Sequence, residues 1–94
     1  MAMSATAGPA IQYVQDVTID PASTAATLSV QTFTAKGLRP DQTIITGQNQ
    51  TWAAAGFIIA AAYCNAVDVL TLVFINLTGS TYDAASATIH ILAV

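Results

Sequence analysis

The sequence predicts an all-β protein: an antiparallel β-sandwich of six to eight short strands, arranged as a jelly roll or an immunoglobulin-like fold. Three observations support this. Turn-forming residues recur about every 10 residues, the segments between them tend to alternate apolar and polar side chains, and no segment is clearly helical. This pattern is typical of sandwiches and barrels. We favour the sandwich because alanines on facing strands let two layers approach closely.

The chain is long enough for one domain, which we place at residues 11–94. Residues 1–10 are small and polar, contain Gly8-Pro9 and show no apolar pattern. We expect them to form a flexible N-terminal arm, either frayed or ordered against a neighbouring molecule.

The first predicted strand is "IQYVQDVTI", in which Ile11, Tyr13, Val17 and Ile19 share one face. The sequence "DPAST" follows and predicts a corner, because Asp can cap a helical turn that Pro begins. The overlapping stretch "IDPAS" (Ile19–Ser23) is similar to "YDAAS" (Tyr82–Ser86), and each stands just before a predicted strand. We interpret the two stretches as similar corners of the sandwich.

The second predicted strand, "ATLSVQTFTA", changes its apolar phase along its length. Leu28 and Val30 have one parity, whereas Phe33 has the other. A shift of one residue exchanges the two faces of a strand. We therefore expect a β-bulge near Gln31 or Thr32, or a bend that carries the strand into the other sheet.

The middle of the chain combines a turn, a short strand and an ambiguous segment. "KGLRPD" predicts a turn, "TIIT" a short strand and "GQNQTW" a polar loop. Residues 51–64 could form a helix, since alanine favours helices. We favour a strand over "GFIIAAAYC", because Gly56 interrupts the run and Phe57, Ile58 and Tyr63 are good strand formers.

Two strands complete the prediction. "NAVD" predicts a hairpin turn into the strand Val69–Asn76, and "LTGSTYDAAS" predicts a connection. "ATIHILAV" then predicts the last strand, with Ile89 and Ile91 on one face and His90 and Leu92 on the other.

Both faces of the strand Val69–Asn76 are apolar. One face consists of two leucines and a phenylalanine, and the other contains Val69, Val73 and Ile75, interrupted by a threonine. Antiparallel strands usually present one polar face to water. We therefore expect another protein chain to cover the face of Val69, Val73 and Ile75.

The composition also points to contact with other chains. Only 7% of the residues are charged, against roughly 25% in ordinary soluble domains. Alanine and threonine contribute 19 and 13 residues, and no residue between Gln42 and Val67 is charged. Because charge depletion and exposed apolar surface characterise interfaces, we expect a homo-oligomer or a component of a larger assembly.

Two classes of partner are not expected. The net charge is −3 and there are only two cationic side chains, too few to neutralise the phosphates of a nucleic acid. The most apolar run, residues 53–64, is shorter than the roughly 20 residues of a membrane span. The N-terminal sequence lacks the pattern of a signal peptide, so we expect synthesis in the cytoplasm.

The residue types needed for catalysis or metal binding are scarce. His90 is the single histidine and Cys64 the single cysteine, so an intrachain disulfide is impossible and a zinc site would lack ligands. The five aspartates are dispersed, and no nucleophile-elbow motif is present. We expect a protein that is not an enzyme and has no cofactor, metal or small-molecule substrate.

The candidate interface residues fall into three groups. Apolar strand residues, exposed aromatic residues and the cations of the "KGLR" turn could each contact a partner. The aromatic side chains could instead stack on sugars or pack in the core. The candidates are Val69, Val73 and Ile75, then Trp52, Tyr63 and Tyr82, and finally Lys36 and Arg39.

Three stretches together resemble a family of small bacteriophage head proteins: "VTIDPASTAATLSVQTFTAKGL", "GFIIAAAYCNAVDVLTLVFINLTG" and "YDAASATIHILAV". The resemblance covers about residues 17–94 and consists of corners and strands. It implies a small β-sandwich that acts as a cement or decoration protein. Such a protein binds the outside of the capsid and bridges capsomers of the major capsid protein. The family carries no catalytic residues to transfer to this chain.

We therefore expect a structural virion protein on the capsid surface, with the major capsid protein and other copies of itself, as a dimer or trimer, for partners. By binding only the assembled shell it would stabilise that shell. The alternative is a phage tail or fibre domain, or another carbohydrate-binding sandwich, that uses its aromatic residues on a sugar.

Overall fold

The computed structural model describes residues 13–94; the predicted arm, residues 1–10, lies outside this range. The described residues form two antiparallel sheets with strand orders β1-β6-β3 and β2-β5-β4. The predicted all-β sandwich is confirmed, and six strands of it lie in residues 13–94. The elements are β1 (Tyr13–Ile19), β2 (Leu28–Thr34), β3 (Ile44–Thr46), α1 (Gln50–Ala55), β4 (Phe57–Ala66), β5 (Val69–Asn76) and β6 (Ala87–Ala93).

The core lies between the central strands of the two sheets. The inner face of β6 contributes Ile89 and Ile91, and the inner face of β5 contributes Leu70, Leu72 and Phe74, all of them buried. Because side chains alternate along a strand, burying these residues leaves His90 and Leu92 on the outer face of β6, as predicted. Every connection crosses between the sheets except the β4–β5 hairpin.

Aromatic side chains form the centre of the core. The rings of Phe57 and Phe74 stack with centroids 4.8 Å apart. Trp52 meets both rings edge-on, at 6.1 Å and 6.3 Å, while Phe33 packs edge-on against Phe74 and Tyr82 is tilted against Phe57. Offset-stacked and edge-to-face geometries are the favourable ones for aromatic pairs, so this cluster joins the β2-β5-β4 sheet to α1 and to the connection before β6.

Strand β2 shows that both predicted explanations of its phase change are wrong: it has no β-bulge near Gln31 or Thr32 and no bend into the other sheet. Its register with β5 is continuous from one end to the other. The apolar phase changes because Phe33 faces the core, whereas Leu28 and Val30 lie on the outer face of the sheet. The sequence pattern therefore reflects two apolar faces in one regular strand.

The segment around Gly56 contains both a helix and a strand, the two structures considered for residues 51–64. A strand is confirmed at Phe57–Ala66, and the helix is confined to Gln50–Ala55. The Asn49 side chain caps this helix by accepting a hydrogen bond from the Trp52 amide at 3.0 Å. Gly56 ends the helix with φ of 100°, a left-handed conformation that glycine adopts at little cost.

The two similar corners meet in space. Thr24 and Tyr82 exchange backbone hydrogen bonds of 3.1 Å and 2.9 Å, which brings the "DPAST" and "YDAAS" stretches side by side. The buried Asn76 side chain joins the same region by donating to the carbonyl oxygens of Thr24 and Ser80, at 3.1 Å and 3.0 Å. These bonds join the end of β5 and the connection that follows it to the connection between β1 and β2.

The aromatic cluster should carry a large share of the stability. We expect Phe74→Ala to lower the free energy of unfolding by about 3–5 kcal/mol, because the change removes a fully buried ring and leaves a cavity. Val30→Ala, in the same sheet but on its outer face, should cost less than about 1 kcal/mol. Urea unfolding of both variants tests this; equal losses would show that Phe74 is not central to the core.

Candidate protein-binding face

The outer face of the β2-β5-β4 sheet is apolar across all three strands. Strand pairing places Leu28, Ile75 and Ile58 in one row across the sheet. Further rows of outward-facing residues follow toward the β4–β5 hairpin. No residue of this surface, which we call the apolar face, carries a charge. Its members are Leu28, Val30, Thr32, Thr34, Ile58, Ala61, Tyr63, Ala66, Val69, Thr71, Val73 and Ile75.

Exposure is greatest at the edges of the apolar face. Leu28 and Val30 are 59% and 55% exposed, and Tyr63 is 38% exposed. The predicted interface residues Val69, Val73 and Ile75 all lie on this face and are partly buried, because β5 is flanked by a strand on each side. Thr71, at the centre of the face, is only 3% exposed. The described residues thus leave apolar surface open mainly along the edges of this face, a feature that commonly marks a protein-interaction site.

Trp52 is not an interface residue. Only 2% of its surface is exposed, and its indole N–H donates to the Ala85 carbonyl oxygen at 3.0 Å. The reason is local: the Asn49 cap starts α1 so that Trp52, in its first turn, points into the core. The pattern of an Asn three residues before an aromatic residue could have indicated a capped helix.

The two tyrosines differ in their surroundings. Tyr82 is partly buried and packs on Phe57, so it belongs largely to the core. Tyr63 lies on the apolar face, opposite Thr71 of the central strand. Of the three aromatic candidates, Tyr63 is therefore the one that contributes to this face.

The two cationic candidates lie at one end of the apolar face. Lys36 and Arg39 are exposed on the connection between β2 and β3, and Arg39 forms an ion pair with Asp41 at 3.3 Å. The turn is held to the β4–β5 hairpin because Asp68 accepts a 2.7 Å hydrogen bond from the Gly37 amide. The cations thus form part of a charged rim beside an uncharged surface.

The opposite outer surface, on the β1-β6-β3 sheet, is mixed. Val14, Leu92 and Ile45 form an apolar row across its three strands. Beside this row, Nδ1 of His90 contacts the Asp16 carboxylate, and both side chains are mostly exposed. The pair lies on an open strand surface, without the enclosing pocket that ligand sites usually provide.

A cleft of about 280 Å³ lies between β3 and the edge of β4. Its lining contains no charged side chain and is formed by Ile44, Ile45, Thr46, Gln48, Ile59, Ala60, Ala61 and Ala62. At its border, the Gln48 side-chain amide donates to the Ile59 carbonyl oxygen at 2.6 Å and accepts from the Ile59 amide at 2.9 Å. This contact was not foreseen from the sequence, since a loop glutamine carries no signal for it.

Residues 13–94 were compared with the patterns of a metal cluster and of a membrane-spanning helix. Within residues 13–94, no three His, Cys, Asp or Glu side chains come together as a possible metal site. Cys64 is buried, and its thiol lies 3.0 Å from the Ala66 carbonyl oxygen. The helix of this part of the chain has six residues and could not cross a membrane.

The burial of Trp52 can be tested by fluorescence, since it is the only tryptophan. We expect its emission in the folded protein to be blue-shifted relative to the urea-unfolded chain and to resist quenching by iodide, because the indole is packed among aromatic rings. Emission that is quenched equally in both states would place Trp52 at the surface and restore it as an interface candidate.

Comparisons of the chain with protein-family models, with characterised proteins and with solved structures found no match.

Proposed function

We propose that this chain is a non-enzymatic structural virion protein, a cement or decoration protein that binds the outside of a phage capsid through the apolar face. The observation that carries the proposal is the open, uncharged surface around Leu28 and Val30. The resemblance of residues 17–94 to small phage head proteins supplies the class of partner, the major capsid protein.

The apolar face has the character of an interface centre. Removing apolar surface from water contributes roughly 25 cal/mol per Å², and a surface without charges avoids the cost of desolvating them. Lys36 and Arg39 at the rim can meet acidic groups of the shell, where ion pairs add specificity and faster association more than affinity. This arrangement of apolar centre and polar rim is common in protein interfaces.

The size of the apolar face implies that one copy binds weakly. Three strands spaced about 4.8 Å apart, with seven residues rising about 3.4 Å each, give a projected area of roughly 350 Å². A standard interface buries about 800 Å² on each partner. We therefore expect that several copies bind one another and attach to the shell together.

The proposed mechanism is thermodynamic. A protein that binds the assembled shell, and not its dissociated subunits, shifts the equilibrium toward assembly by mass action. A copy or oligomer that bridges two capsomers adds contacts across a joint that internal pressure from packaged DNA would open.

The carbohydrate-binding alternative loses its strongest support in this structure. Sugar stacking requires an accessible aromatic ring, and Trp52 is buried. Tyr63 is the aromatic side chain on the apolar face, so sugar stacking there would depend on this one ring. A glycan array in which Tyr63→Ala abolishes selective binding would favour this alternative over the capsid.

The capsid proposal is tested by charge insertion. We expect Val73→Asp to weaken co-pelleting with assembled heads of a phage that carries this sequence by more than about tenfold, because it places a carboxylate in a dry interface. The matched control is Thr88→Asp, on the outer face of the other central strand, which should bind nearly as well as the unmodified chain.

Both variants must first show cooperative urea unfolding. If folded Val73→Asp binds heads as tightly as Thr88→Asp does, the apolar face is not the capsid-binding surface. Binding of the unmodified chain to dissociated capsid protein as tightly as to heads would contradict the thermodynamic mechanism.

A further inference from the structure

We propose that β4 pairs edge to edge, antiparallel, with β4 of a second copy of this chain. The ten residues of β4 form an edge of the β2-β5-β4 sheet and include neither a charged residue nor a proline. Exposed edge strands offer unpaired backbone groups, and proteins commonly protect them with charges, prolines or short length. β4 has none of these three protections; a further protection, the β-bulge, corresponds in β4 to two irregularities in its pairing with β5.

The other three edge strands within residues 13–94 are less suited to pairing. β3 has only three residues, and β1 carries Asp16. β2 also lacks charges and prolines, but it has seven residues against the ten of β4. A long, uncharged strand is the better template, so β4 is the edge that we assign to the interface.

The hydrogen-bond pattern shows which backbone groups of β4 point outward. The Leu77 amide donates to the Gly56 carbonyl oxygen at 2.8 Å. Because hydrogen-bonded pairs alternate along an antiparallel ladder, the backbone N–H and C=O of Ile58 point toward β5, and those of Ile59 point away from it. The Gln48 side chain binds both backbone groups of Ile59, as a neighbouring strand would. Gln48 thus occupies the start of the edge.

Beyond Gln48, no other residue within 13–94 pairs with this edge of β4. The strand pairing shifts register between Ile59 and Ala61 and again between Tyr63 and Ala66; between the two shifts, Ala61 and Tyr63 lie opposite Val73 and Thr71. The Asn76 amide bonds to β2, so the even-numbered residues of β5 bond to β2 and the odd-numbered ones to β4. The N–H and C=O of Ala62 therefore point away from β5, along the uncharged cleft beside β3.

A second copy fits this edge because the strand is complementary to itself. A two-fold axis at Ala62 places that residue opposite its own copy, where the two can exchange both backbone hydrogen bonds. The same register sets the Tyr63 ring beside the small Ala61 of the second copy, and the reverse. With no charge in β4, no like charges face each other across the pair.

Pairing at this edge would join two apolar faces into one six-stranded surface. The projected area would rise to roughly 700 Å², closer to that of a standard interface. The dimer also separates the two sets of rim cations, which suits attachment across a joint between two capsomers. The pairing itself concerns only copies of this chain and does not depend on the capsid.

Hydrogen exchange on the unmodified chain tests the pairing directly. We expect sedimentation equilibrium to show a dimer, and the Ala62 amide to exchange more slowly as the protein concentration rises through the dimerisation range. The amides of Val30 and Thr32, which point outward from the opposite edge, are internal controls and should not change. A monomer at all concentrations, or a dimer in which the Ala62 amide stays unprotected, would overturn the proposal.

A proline at the same position provides an independent test. Ala62→Pro removes an outward N–H while leaving the bonds to β5, and Thr32→Pro does the same on the other edge strand. We expect Ala62→Pro to weaken dimerisation by more than about tenfold and Thr32→Pro to leave it unchanged. A folded Ala62→Pro that dimerises normally would refute the interface; if this variant does not fold, the exchange experiment decides.

Discussion

The stacked pair of Phe57 and Phe74, closed by Trp52, is the contact on which the rest of the structure depends. Phe57 begins β4 directly after the glycine that ends α1, and Phe74 lies on the central strand of the same sheet. Because Trp52 reaches the pair from α1 and bonds to the Ala85 carbonyl oxygen, the cluster also fixes the connection to the second sheet. In a domain this small, such a cluster supplies much of the apolar surface that folding can bury.

The constraint that follows is that β5 can bury only one of its two apolar faces. Its leucines and Phe74 are used in the core, so Val69, Val73 and Ile75 must face outward. The neighbouring strands do not compensate, since Leu28 and Val30 add further apolar surface on the same side. The exposed apolar surface therefore belongs to the whole sheet. For this reason our proposal assigns binding to the sheet and not to a single residue.

Side-chain amides organise the regions that strands leave incomplete. Gln48 binds the backbone of Ile59 at the start of an edge, Gln31 binds the backbone of Ala22, and Asn76 joins two connections. An amide carries both donors and an acceptor, so it can replace a backbone partner without adding charge. In a chain with few charged residues, these contacts bind backbone groups that no strand pairs with, and in our proposal they leave the middle of β4 available to a second copy.

The sequence by itself determined the strand periods, the β4–β5 hairpin and the two-faced character of β5, because alternation and turn chemistry are local properties. Only the tertiary structure decided that Trp52 is buried, that β2 is regular and that Gln48 caps an edge. Each of these depends on a residue distant in the chain: the Ala85 carbonyl oxygen for Trp52, the paired strand β5 for β2, and the backbone of Ile59 for Gln48. The phase change in β2 predicts a bulge wrongly, because a regular strand with two apolar faces and a strand with a bulge give the same sequence pattern. Only the pairing with a neighbouring strand distinguishes them.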